Sequence, residues 1–128
     1  MAQENIHLWS MKGMKCCPID NTFKLIGKKF TVLIIRNMMK NQTRFNQFID
    51  SIDGINPKIL SARLKEMEKS GLIQRKVYAE TPIRIEYFLT EKGRALKSIL
   101  DQMASFSMQY CAKDVFDDAK PRVLQQKV

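Results

Sequence analysis

The sequence predicts a mainly α-helical fold with one small β-hairpin, a winged helix-turn-helix whose last long helix is a candidate dimer contact. Three observations carry that expectation. Two short apolar-periodic segments meet at the turn Ser51-Ile52-Asp53-Gly54-Ile55, and the second opens on the helix-start pair Asn56-Pro57. Two alternating stretches then flank a loop containing Pro82, which reads as a hairpin. Beyond them Leu96, Ile99, Leu100, Met103, Phe106 and Tyr110 recur at helical spacing, a seam too apolar to face solvent in a lone subunit of this size.

The elements follow in order. Asp20 to Ile26 suits a short helix with Phe23 and Ile26 on one side and Gly27 closing it. Lys29 to Met39 is apolar nearly all round, as expected of a central buried helix; eleven residues without Gly or Pro is long for a strand. Phe45, Phe48, Ile49 and Ile52 mark a second short helix, ended by Asp53-Gly54. Asn56 caps the next helix and Pro57 takes its first position, where a missing N–H costs nothing. Along it Leu60, Leu64 and Met67 face inward, while Lys58, Ser61, Ala62, Lys65 and Lys69 share another face. Gly71 supplies the C-terminal stop, Ile73 to Tyr78 and Arg84 to Leu89 pair as the hairpin, and Thr90 caps the last long helix.

At 128 residues the chain suits one domain, since domains commonly run about 100–200 residues. We expect an arm over 1–18, the winged helix-turn-helix with its dimerisation helix over 19–110, and a tail over 111–128. In the arm, Ile6, Leu8, Trp9 and Met11 are candidates for packing on the body or on a second subunit. With 45% hydrophobic and 27% charged residues, a packed core is expected and disorder is not. No run approaches the roughly 18 apolar residues of a membrane span, and the first twenty residues lack the apolar core of a secretory signal. A cytoplasmic protein with no membrane partner is expected.

Lys and Arg number 22 against 13 Asp and Glu, a formal charge of +9, which points to a polyanionic partner. The basic helix starting at Asn56 specifies which. A major groove about 12 Å wide accepts one helix, and its bases are read by short or basic side chains near that helix's start. Lys58, Ser61 and Ala62 meet that description, with Lys65 one turn on. Asn56, the N–H groups at the helix start and Arg44 are candidates for phosphate, and Arg75, Lys76 and Arg84 put cations on or beside the hairpin. Lys24, Lys28, Lys29, Arg36, Lys40 and Arg44 add positive field without an intervening acid. A merely solvated face is the plainer reading of such a helix, but the hairpin placed directly after it favours double-stranded DNA. Single-stranded RNA readers need more stacking aromatics than Tyr78, Tyr87 and Phe88. For the apolar seam, intramolecular core competes with a dimer interface, which symmetric half-site readers require.

Three cysteines, two of them adjacent, do not make a disulfide framework. Cys16 and Cys17 read either as inert small residues or as reactive thiols beside Lys12, Lys15 and Lys24, the basis of an alternative function as a thiol-based redox or electrophile sensor. Cys111, late in the last helix, suits packing or a crosslink between subunits. The single histidine, His7, and the absence of hydrolase, Walker or dinucleotide motifs argue against an enzyme. Without C-x-x-C spacing no metal site is expected, and no cofactor is implied.

Residues 16 to 106 also resemble a known family. Cys17-Pro18, Leu25-Ile26-Gly27 through Lys29-Phe30-Thr31, Arg44-Phe45-Asn46, Gly54-Ile55-Asn56-Pro57-Lys58, Leu60-Ser61-Ala62-Arg63-Leu64, Gly71-Leu72-Ile73, Val77-Tyr78, Pro82, Glu86-Tyr87 and Leu89-Thr90-Glu91-Lys92-Gly93 together resemble the HxlR-type transcriptional regulators, winged-helix proteins related to the MarR group. The resemblance implies a winged helix-turn-helix dimerising through terminal helices, a homodimer built from N- and C-terminal helices on a pseudo-palindromic operator, with the 56 to 70 helix in the major groove and, from the docking geometry of such dimers, recognition helices roughly 34–36 Å apart. By position it assigns Arg44, Asn56, Lys58, Ser61 and Arg63 to the DNA-facing motif, Arg63 on that ground alone. It also implies that Cys17 corresponds to the cysteine through which some members sense oxidants or electrophiles, with Cys16 extra. The family commonly has Gly-Gly-Lys-Trp where this chain has Gly27-Lys28-Lys29-Phe30.

Overall fold

The computed structural model describes residues 12–123. The expected arm residues Ile6, Leu8, Trp9 and Met11 lie outside them. Helix α1 (Pro18–Ile26) begins two residues before the expected start because Pro18 sits in its first turn, with Cys17 at the N-cap. Its sides are not as the spacing suggests: Ile26 enters the core, but Phe23 remains 62% exposed beside exposed Ile19.

Helix α2 (Thr31–Met39) is the central helix, with Ile34 and Ile35 fully buried. It starts two residues later than the apolar run suggests, because Phe30 takes a left-handed conformation (φ 77°) and buries its ring in the core. Buried Asn37 satisfies its amide by donating to Ser51 Oγ (2.9 Å) and accepting from Arg36 Nε (3.0 Å), which ties α2 to α3 (Phe45–Ser51).

Helix α4 (Pro57–Lys69) has both ends closed by the expected chemistry. Asn56 Oδ1 accepts from the Ile59 N–H at 2.8 Å. At the other end Gly71 adopts φ 80°, and the Leu72 and Gly71 N–H groups return to the Met67 and Glu68 carbonyls at 2.9 and 3.1 Å, while Leu72 and Met67 meet in the core.

Strands β1 (Ile73–Tyr78) and β2 (Arg84–Leu89) form an antiparallel hairpin pairing Ile73 with Leu89 through Tyr78 with Arg84. The Tyr87 N–H donates to the Thr43 carbonyl at 2.8 Å, so the loop before α3 extends the hairpin by one backbone bond.

One expectation is corrected after the hairpin. Thr90 does not cap the last long helix; its hydroxyl accepts from Gly93 N–H and caps a four-residue helix, α5 (Glu91–Arg94). The chain tightens there, the Leu96 N–H reaching only to the Gly93 carbonyl, before α6 (Lys97–Tyr110) begins. Gly93 lets α5 pass this close, since a side chain there would strike the Leu72 carbonyl oxygen. Past α6, residues expected as a tail include α7 (Ala112–Val115); Ala112 is buried and the Arg122 guanidinium lies 3.8 Å from the Phe116 ring centre. One core unites α1 through α4, the hairpin and the start of α6: Ile26, Phe30, Ile34, Ile35, Phe48, Leu60, Leu64, Met67, Leu72, Ile73 and Leu96. Among the described residues no helix is long and apolar enough to cross a membrane.

Candidate nucleic-acid interface

The core fixes what α4 presents. Leu60, Leu64 and Met67 are at most 2% exposed, so the opposite face must point outward. Asn56, Lys58, Ser61, Ala62, Lys65 and Lys69 are all exposed there. Among the described residues, no carboxylate lies within ion-pair distance of Lys58, Lys65 or Lys69. This face is therefore a row of unneutralised cations around two small side chains, near a helix start where N–H groups favour anions. Arg75 and Lys76 are likewise exposed on β1, with the Lys76 ammonium 5.0 Å from the Phe88 ring centre.

Three other predicted contacts are placed differently. Arg63, assigned by resemblance, turns back to the body: its Nε donates to the Lys29 carbonyl at 2.8 Å and its Nη1 lies 3.6 Å from Glu66, which also pairs with Lys28 at 3.0 Å. It braces α4 against the turn before α2. Arg84 lies 4.0 Å from the Tyr78 ring centre, donates to Glu80 at 3.1 Å and sits 3.8 Å from Glu86, with its Nε buried and unpartnered. Arg44 keeps its side chain half exposed, but its Nε lies 3.8 Å from the same Glu86. The wider field is also partly neutralised within the chain, since Lys24 pairs with Asp20 at 3.3 Å.

The apolar seam divides. Leu96 is 6% exposed and belongs to the core, a correction to its place among the interface residues, and Leu100 packs partly against it. Ile99, Met103, Phe106 and Tyr110 are 40 to 70% exposed, and no residue of α6 is buried. A short turn at Ala95-Leu96 separates α5 from α6, and the buried member of the seam, Leu96, lies in that turn. Ile19 and Phe23 on α1 add exposed apolar surface that sequence reasoning missed; their i, i+4 spacing was the available signal. Glu86 and Thr43 were missed as well, because neither stands out until the fold brings them together.

Cys16 and Cys17 are exposed free thiols, and Cys111 is half buried between α6 and α7. Among the described residues no group of three or more His, Cys, Asp or Glu could hold a metal ion.

This arrangement of two short helices, a projecting basic helix and a hairpin recurs in known proteins. The model of the HxlR-like helix-turn-helix family matches residues 25–115. The HTH-type transcriptional regulator YodB of Bacillus subtilis (strain 168) is 38% identical over 100 residues, covering 77% of this chain and 89% of its own. The solved reduced form of YodB superposes with a TM-score of 0.67 at 37% identity, over 77% of this chain and 96% of that one. A MarR-family regulator structure from Enterococcus faecalis V583 gives a TM-score of 0.70 at 30% identity, over 82% and 96%. The redox regulator HypR in its oxidized form gives 0.67 at 35% identity, over 71% and 94%. The matched span runs from the end of α1 through α4, the hairpin and α6, so the chain belongs to the HxlR-like helix-turn-helix family of DNA-binding transcriptional regulators.

Proposed function

We propose that the chain binds double-stranded DNA sequence-specifically as a homodimer on a pseudo-palindromic operator, and represses transcription there by blocking polymerase access. The observation that carries this reading is the outward face of α4, where Lys58, Ser61, Ala62 and Lys65 stand exposed while the opposite face is locked in the core. In this reading Ser61 and Ala62 let the helix approach base edges closely, Lys58 and Lys65 meet bases or phosphates, and Asn56 shapes the phosphate-binding helix start. Arg75 and Lys76 contact the flanking backbone from the wing, and Arg63, Arg44 and Arg84 chiefly hold the reading surface in place.

The dimer follows from what one copy leaves uncovered. Ile99, Met103, Phe106 and Tyr110 form a patch along α6, and α1 adds Ile19 and Phe23; a second copy related by a two-fold axis would bury both. The test is binding to genomic DNA fragments across a salt series, with Lys58→Ala and Ser61→Ala, alongside sedimentation of Phe106→Asp. Specific binding by the reduced protein, weakened in both α4 variants, and a monomeric Phe106→Asp with reduced affinity are expected. Absent binding, or variants without effect, would refute the reading.

A second reading adds a switch to the first. Cys17 is exposed at the start of α1, the helix whose outer face carries Ile19 and Phe23, so modification of its thiol would act beside the proposed subunit contact. HypR has been solved in an oxidized form and YodB in a diamide-treated one. DNA affinity is expected to change on mild oxidation of the wild-type protein and not of Cys17→Ser, with Cys16→Ser assigning the role of the extra thiol. Equal affinity before and after oxidant would remove this reading.

A further inference from the structure

Glu86 stands in the middle of β2 with its side chain only 16% exposed, in a neighbourhood otherwise rich in cations. Three groups from two segments converge on it. The Thr43 hydroxyl donates to its Oε1 at 2.9 Å, Arg44 Nε lies 3.8 Å from the same oxygen, and an Arg84 guanidinium nitrogen lies 3.8 Å from Oε2. The next residue repeats the connection through the backbone, where the Tyr87 N–H meets the Thr43 carbonyl at 2.8 Å. Arg84 is itself held by Glu80 and the Tyr78 ring, so the carboxylate is anchored on the wing side and reaches across to the loop that starts α3. Lys76, opposite Glu86 in the strand register, places its ammonium on Phe88 instead.

A carboxylate so close to cations that would meet a polyanion weakens attraction to phosphate by its own charge. Its benefit must lie in geometry. We propose that Glu86 is a positioning residue that determines specificity: it fastens the wing to the start of the helix-turn-helix. It thereby sets the separation between Arg75 and Lys76 on the wing and Lys58 and Lys65 on α4. The proposal rests on the DNA-binding reading above. A duplex whose grooves and backbone match that separation engages both regions at once, whereas a random duplex is held by charge alone and does not sense it.

The test compares two substitutions that alter the fastening differently. Glu86→Gln keeps an oxygen for the Thr43 hydroxyl but removes the charge that faces both arginines. Thr43→Val keeps the shape and the charge but removes the hydroxyl. Affinities are measured for a duplex that the wild-type protein selects from a randomised pool and for a scrambled duplex, over a salt series, with thermal unfolding of each variant. In both variants the ratio of selected to scrambled affinity is expected to fall about tenfold, the scale of losing one charge-assisted hydrogen bond. In Glu86→Gln the scrambled affinity is expected to rise at the same time. If Glu86→Gln raises both affinities by the same factor, or Thr43→Val keeps the wild-type ratio, the proposal is overturned. Should Glu86→Gln not fold, Thr43→Val decides alone. A wild-type protein that selects no duplex would instead refute the DNA-binding reading, a result distinct from an unchanged ratio.

Discussion

The lysines on the outer face of α4 and the arginines around Glu86 are both cationic, yet the fold treats them in opposite ways, with Arg75 and Lys76 on β1 exposed like the former. On α4, Lys58, Lys65 and Lys69 stand exposed with no ion-pair partner among the described residues. At the wing, Arg84 is caged by Glu80, Glu86 and Tyr78, and Arg44 leans on the same Glu86. The difference separates two tasks. Unpaired surface lysines contribute little to folding and leave their charge unneutralised, whereas the caged arginines spend theirs on carboxylates of the same chain and lose freedom to reach a ligand.

Substitutions can break this contrast, the most damaging first. Ala62→Glu, placing a carboxylate on the exposed face of α4, is expected to cost DNA binding about 3 kcal/mol or more, through like-charge repulsion, while leaving thermal stability near wild type. A matching loss of stability would show that this face packs on protein. Arg84→Ala should do the reverse, lowering unfolding stability in urea by roughly 1–3 kcal/mol because the hydrogen-bonding partners around the guanidinium are left without it. Were stability unchanged and only the salt dependence altered, Arg84 would be a phosphate ligand and the contrast would fail. Gly71→Ala, at φ 80°, is expected to destabilise by about 1 kcal/mol through left-handed strain without changing which DNA is selected. The subtlest change is Lys58→Ala, which should flatten the slope of log affinity against log salt by about 0.9, the value for one phosphate contact, at constant melting temperature. An unchanged slope there would place Lys58 on a base edge or away from DNA.

What could be read ahead of the coordinates follows the range of the forces involved. Local chemistry was legible: Asn56 and Pro57 start α4, Gly71 ends it, and the alternation on either side of Pro82 becomes the hairpin in the expected register span. Periodicity also located the outward face of α4. It failed where one residue changes direction for a tertiary reason. Phe30 adopts a left-handed backbone with its ring buried, delaying α2, and a tight turn at Ala95-Leu96 interrupts the final helix, with Leu96 in the core and Ile99 and Met103 outside it. Arg63 and Arg84 show the same limit for charge. A sequence counts cations but does not reveal that one will be drawn to the Lys29 carbonyl and another enclosed by two glutamates 4 and 2 positions from it, the partnerships that remove them from the exposed field. Glu86 was invisible for the converse reason, since its partners Thr43 and Arg44 are distant in sequence and meet it only after the wing folds back.

If the exposed face of α4 enters the major groove, it covers base-edge atoms there. Methylation protection of guanine N7, an atom displayed only in that groove, tests that placement most directly on a duplex selected by the protein. Two protected patches about 10–10.5 base pairs apart, or a multiple of that spacing, are expected, each lost in Ala62→Glu. Tight binding that leaves every guanine N7 open to methylation would contradict it.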